Sequence, residues 1–279
     1  MKQRKLLSQR HPILYFLAVW YRRIRTYAKW YLGNKTFTKA YQQEPLPFRV
    51  KKHQSTLLRK LGNSELQLQL NKVTNLRIAL QHINGIVIKP GETFSFCKLV
   101  GRPTQKKGYL LGMELSFGKA RPGIGGGICQ ISNMIHWLVI HSPLTVTQRA
   151  QHSFDPFPDE GRVLPFGSGA AIFYNYIDYQ FTNNTNDTYQ VDIWLTDKTI
   201  EGELRVSAEP RYKYHIFEED HQFLKIGDQF FRKNEIWRKK VNRQTGNTVT
   251  AELLTKNFAR LSYIPEEYVI SDNPDERLV

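Results

Sequence analysis

The sequence predicts an α+β protein, and three observations predict it. Apolar residues recur at helical spacing in the first half, segments of alternating apolar and polar residues separated by short polar turns fill the last part, and between them a glycine-rich turn leads into a strongly apolar helix. The expected architecture is N-terminal helices, a central turn-to-helix segment and a mainly antiparallel β-sheet in the C-terminal half. Hydrophobic residues make up 41% of the 279, enough to close a packed core.

Taken in order, the chain begins with a helix-like stretch around "ILYFLAVWY" (13–21). It turns irregular at "QEPLPFRV" (43–50), where Pro45 and Pro47 oppose helix and a linker is expected. A helix over 64–84 follows, with Ser64 as N-cap, Val73, Leu76, Leu80 and Ile83 on its apolar face, and Asn84-Gly85 as its stop. "IVI" (86–88) is a short strand and Pro90-Gly91 the centre of a type II turn; "TFSF" (93–96) is a second strand ending at Cys97. After Gly125, Gly126 and Gly127, Ile128, Ile131, Ile135 and Leu138 mark a buried helix, which Ser142-Pro143 closes. "LTVTQRAQ" (144–151) is extended. "IDYQFT" (177–182), "YQVDIWL" (189–195) and "IEGELRVS" (200–207) read as an antiparallel meander, and the tail as further hairpins joined through "QTGN" (244–247). The expected division is a basic amphipathic extension over 1–60, a core domain over 61–210, and a β-rich extension over 211–279 packed on that core.

Charge is lopsided. Residues 1–60 hold 15 of the 40 Lys and Arg but only Glu44 among the 25 acids, so +14 of the net +15 sits there. Such a segment seeks an anionic partner. Its apolar run is too short for a bilayer span, which needs roughly 20 residues, and Arg22, Arg23 and Arg25 follow it where an export signal would carry small residues. Aromatic and aliphatic residues alternating with cations fit a helix lying on anionic membrane lipid. The competing expectation packs Ile13 to Val19 on the main domain with the arginines in water. Specific nucleic-acid binding is not expected, because no reading module accompanies the basic patch.

The chemistry concentrates in "RPGIGGGICQISNMIHWLVIHSPLTVTQRAQHSFD" (121–155). Cys129 falls in the first turn of the buried helix, where unpaired amides and the positive end of the macrodipole favour a thiolate and offer an oxyanion hole. His152, 23 residues on, is the candidate base, with Asp155 or Asp159 to orient it. Ser132, Asn133 and His136 share the helical stripe of Cys129. Against this stands a buried, inert cysteine and a His152 that only ties a turn. Gly125, Gly126 and Gly127 are equally a nest for a carboxylate or peptide end; the nucleotide-loop reading is weak, with no preceding strand evident and no lysine-hydroxyl pair. His136 and His141 are expected as helix-surface or capping groups and Cys97 as core. Neither metal nor cofactor is expected: two cysteines exclude a four-cysteine zinc site, and no paired ligand spacing supports Cys129, His152 and Asp155 as one.

"PGETFSF" (90–96), "GY" (108–109), "GGGICQISN" (125–133), "HSFD" (152–155) and "FTNNT" (181–185) together resemble the VanW family. "QRHPILYFL" (9–17), "NKVTNLRIA" (71–79), "FPDEGRVLPFGSGA" (157–170) and "FRKNEIWR" (231–238) extend the likeness to its compact, single-domain members over nearly the whole chain. The resemblance implies a bacterial accessory protein of cell-envelope physiology or glycopeptide resistance, with no reaction established. It draws attention to Gly125, Gly126, Gly127, Cys129, Gln130, His152 and Ser153, and to peptidoglycan precursors as substrate. Two functions are therefore expected as rivals. One is a Cys129/His152/Asp155 amide or peptide hydrolase or acyl transferase; the other is a non-catalytic carboxylate- or peptide-binding module using Gly125, Gly126, Gly127, Gln130, Asn133 and Ser153, tethered to lipid by residues 1–60. The expected location is the cytoplasm or the inner membrane face.

Overall fold

The computed structural model describes residues 11–58, 66–116, 119–151, 154–155 and 163–271, and its architecture is α+β. Helix α1 (Pro12–Leu32) starts with Pro12 in its first turn and with the His11 imidazole accepting from the Ile13 amide at 3.2 Å. Pro45 and Pro47 keep the chain irregular as expected, but Phe48 enters a nine-residue strand, β3 (Phe48–Thr56), so the linker reading ends at Pro47. Helix α2 (Leu66–Leu80) stops at the turn ending in Gly85, whose φ is +76°. The Ser64 cap lies outside the described residues.

Three larger sheets and one ribbon form among the described residues. The first, with strand order β1-β5-β10-β8, contains β1 (Thr36–Phe37), β5 (Glu92–Ser95), β10 (Gln180–Thr182) and β8 (Thr145–Gln148). The second, ordered β2-β4-β11-β12-β3, contains β2 (Ala40–Tyr41), β4 (Ile86–Ile88), β11 (Tyr189–Leu195) and β12 (Thr199–Val206) beside β3. The expected meander is thus broken: β10 pairs with β5 and β8 in one sheet, while β11 and β12 pair in the other. The third sheet is built on long antiparallel strands β13 (Tyr212–Ile226), β14 (Gln229–Asn242) and β15 (Thr248–Leu261), edged in parallel by β9 (Phe154–Asp155) and β16 (Val269–Ile270). The ribbon is β6 (Leu111–Ser116) with β7 (Lys119–Ile124).

At "TFSF" the strand stops one residue early. Ser95 turns from strand to cap, its hydroxyl accepting from the Lys98 amide, so Cys97 sits inside the short helix α3 (Phe96–Val100) and not at a strand end. Nine of the twelve residues of helix α4 (Cys129–Ile140) are buried, the polar Ser132 and His136 among them, so the helix is enclosed on nearly every side. Ile131, Ile135 and Leu138 meet Leu76 and Leu80 of α2 and Val191, Ile193, Ile200 and Leu204 of the second sheet in one core. Burial of each such side chain contributes about 1.5–3 kcal/mol.

His136 and His141 are buried, not on the helix surface, although His141 does cap α4. Burial pulls the His141 pKa down to about 4, with the Trp137 carbonyl raising it and Lys51, His215 and His53 lowering it further. Burial, followed by Arg149, puts His136 well below its usual value too. A histidine whose folded pKa lies below its unfolded one contributes stability that is complete above pH 6.5 and lost as pH falls toward the folded value. Titration of His141 alone should therefore lower stability by roughly 3 kcal/mol between pH 6.5 and pH 4, and His136 acts in the same direction. Urea midpoints across that range check it, and His141→Gln should flatten the slope.

Candidate functional site

The glycine run is preceded by a strand, contrary to the sequence expectation: β7 runs straight into it. Gly126 lies back to back with Gly112 of β6, and a Cβ on Gly126 would come 2.3 Å from the carbonyl carbon and oxygen of Gly112. Gly127 has φ +93° and packs under the Lys72 side chain of α2. Asn75, 0% exposed in the middle of α2, holds the arrangement together: its amide nitrogen donates to the Leu110 carbonyl (3.0 Å) and the Gly126 carbonyl (2.9 Å), and its oxygen accepts from the Leu110 amide (2.8 Å). The ribbon, α2 and the start of α4 are thereby fixed together.

Between these elements, α1 and α3 lies a cleft of about 590 Å³. Gly125–Gly127, Cys129, Gln130 and Asn133 all line it, as do Arg23, Gln69, Lys72 and Arg102. Four cations face one carboxylate, since Arg121 also contributes and Glu114 is the acid, joined to Arg121 at 2.8 Å. Arg102 is exposed and has no carboxylate partner among the described residues. The Oε1 of Gln69, a residue only 4% exposed, is buried without a hydrogen-bond partner among the described residues, as are Gln130 Oε1 and Arg23 Nε. Among the described residues the amides of Gly127 and Cys129 meet no backbone carbonyl. The cleft therefore offers positive charge and amide donors at the α4 start, and buried acceptors beside them.

Cys129 is the first residue of α4, as expected, but its sulfur is not activated there. Burial pushes the thiol pKa up; a backbone hydrogen bond at Ile172 opposes this, Glu114 adds to it, and its own amide pulls it down. The protonated Sγ donates to the Ile172 carbonyl at 3.7 Å. Desolvation of a thiolate outweighs the helix start, so the expected lowering is reversed. Cys97, fully buried and pushed up further by burial and then by Asp178, lines the same cleft.

Of the other expected residues, Gln130 and Asn133 share the cleft with Cys129. Gln130 Nε2 donates to the Thr56 carbonyl (2.9 Å) and the Ser55 hydroxyl (3.2 Å), tying α4 to β3. The Asn133 oxygen accepts from the Ala170 amide at 2.7 Å. Asp155 is buried in β9, paired with Arg232 at 3.6 Å, and does not line the cleft. His152, Ser153 and Asp159 lie outside the described residues. The sequence reading missed Asn75, Gln69 and Arg102. "NKVTN" carries two asparagines inside an otherwise helical pattern, which is the signal that one of them has a buried backbone partner.

The family described as "VanW like protein" matches residues 71–205, which include Arg102 and the whole glycine-to-α4 segment. "Vancomycin B-type resistance protein VanW" of Enterococcus faecalis (strain ATCC 700802 / V583) is 31% identical over 270 residues, 96% of this chain and 98% of that protein. "Uncharacterized protein YoaR" of Bacillus subtilis (strain 168) is 33% identical over 113 residues, 40% of this chain and 35% of that protein. No solved structure matches the chain.

Proposed function

The chain belongs to the VanW family, and from that premise we propose that it is a vancomycin-resistance-associated accessory protein of the cell envelope that binds a carboxylate-ended peptide of the peptidoglycan-precursor class. One observation carries the reading: the cleft sets amides that meet no backbone carbonyl, and a cation, against Gln69 Oε1, an acceptor buried without a hydrogen-bond partner among the described residues. A peptide terminus matches both halves. Its carboxylate suits the amides of Gly127 and Cys129 with Arg102, and its last peptide N–H suits Gln69 Oε1. A neutral thiol donating to a carbonyl favours binding over nucleophilic attack.

Calorimetric titration of the full chain with a synthetic peptidoglycan-stem pentapeptide tests this. The free acid should bind at least about tenfold more tightly than its C-terminal amide, and Arg102→Ala should erase most of that difference. Equal affinity for acid and amide would overturn the carboxylate assignment. Cleavage of the peptide, with Cys129 alkylation titrating well below the ordinary thiol range and slowed by His152→Ala, would replace binding by Cys/His catalysis.

A further inference from the structure

The long helix α1 leaves most of its apolar surface in solvent. Val19 and Trp30 are buried against the body, with Arg23 and Thr26 half-buried on the same face. Roughly 120° round the helix, by its ~100° advance per residue, Ile13, Leu17, Trp20 and Ile24 form a stripe at i, i+4, i+7 and i+11. Ile13 is 61% exposed, Leu17 55% and Ile24 61%. This also answers the packing alternative raised by the sequence, since of that run Val19 is buried while Ile13 to Leu17 are exposed. Arg25 and Lys29 occupy the remaining side, both exposed, while Arg22 stacks on the Tyr176 ring of the body at 4.6 Å; no acid lies between Pro12 and Leu32.

We propose that this face of α1 is a docking surface for an anionic lipid bilayer, on which the helix lies flat. No helix among the described residues is long and apolar enough to cross a membrane. The geometry suits the interface: the stripe enters the headgroup and upper acyl region, while the cations reach lipid phosphates at its edge. Aromatic side chains such as Trp20 and Tyr31 belong to that depth. Charge argues against a second copy as the occupant, because two α1 stripes in contact would bring cation-rich flanks together with no acid on either. Arg23 of α1 also lines the cleft, so docking sets one wall of the cleft near the bilayer.

Co-sedimentation of the full chain with vesicles at 0.1 M salt tests the proposal. Phosphatidylcholine vesicles holding a quarter phosphatidylglycerol should bind it at least about tenfold more strongly than pure phosphatidylcholine. Leu17→Asp with Ile24→Asp, both exposed positions, should reduce binding more than about tenfold while leaving the circular dichroism spectrum unchanged. Arg25→Ala with Lys29→Ala should lower partition onto the anionic vesicles by roughly thirtyfold. Undiminished binding by the aspartate variant, or equal binding to neutral vesicles, would overturn it. So would self-association without lipid that the aspartate variant abolishes, since that assigns the stripe to a second copy.

Discussion

Gly126→Ala is expected to destabilise the protein by at least about 3 kcal/mol and to abolish peptide binding. The added methyl would sit 2.3 Å from the Gly112 carbonyl and 2.8 Å from the Met113 amide nitrogen, both backbone, so no side chain can rotate to make room. Relief requires β6 to part from the α4 start, which breaks the Asn75 bonds and opens the cleft wall. Gly246→Ala is the control. Its Cβ meets nothing within 4 Å and only its φ of +73° opposes substitution, so the cost should stay near 1 kcal/mol. Urea unfolding of both variants decides the matter; a Gly126→Ala cost no larger than that of the control would show that β6 and the α4 start can separate freely.

Asn75→Ala should cost roughly 2–4 kcal/mol. Its carboxamide is 0% exposed and serves three backbone groups on two different segments. Truncation strands the Leu110 amide, while the Leu110 carbonyl keeps the Gly125 amide at 3.0 Å as its other donor. The penalty is therefore dominated by the buried Gly126 carbonyl, with the part-buried Leu110 amide adding to it. Hydrogen exchange should report it locally, with protection lost first at Leu110 and through Gly125–Ile128 before the second sheet is affected. Uniform loss across the core would mean that Asn75 acts only as filler.

These two residues also mark where sequence reasoning reached and where it stopped. Helix α4, strands β11 and β12 and the Pro90-Gly91 turn were legible because periodicity and turn chemistry are local: β11 spans the expected Tyr189–Leu195, and Gly91 takes φ +78° with the Glu92 amide donating to the Lys89 carbonyl. Strand β7 was hidden because Pro122 and Gly123 argue against a strand, and a two-stranded ribbon tolerates them as a central strand would not. Asn75 was passed over because a polar residue within a helix reads as solvent-facing, and its partners lie 35 and 51 residues away. The position of Cys129 was read correctly and its ionisation was not. Local position indicates a stabilised thiolate, whereas the packing that desolvates it is a tertiary property.

The claim at the centre is that the α4 start holds a peptide carboxylate. Amide chemical shifts of the ¹⁵N-labelled full chain, followed as the free-acid stem pentapeptide is added, test it most directly. Gly127 and Cys129 should move furthest and saturate together, and the C-terminal amide of the same peptide should leave both in place. A saturating response elsewhere, with these two amides unmoved by the acid, would contradict the account.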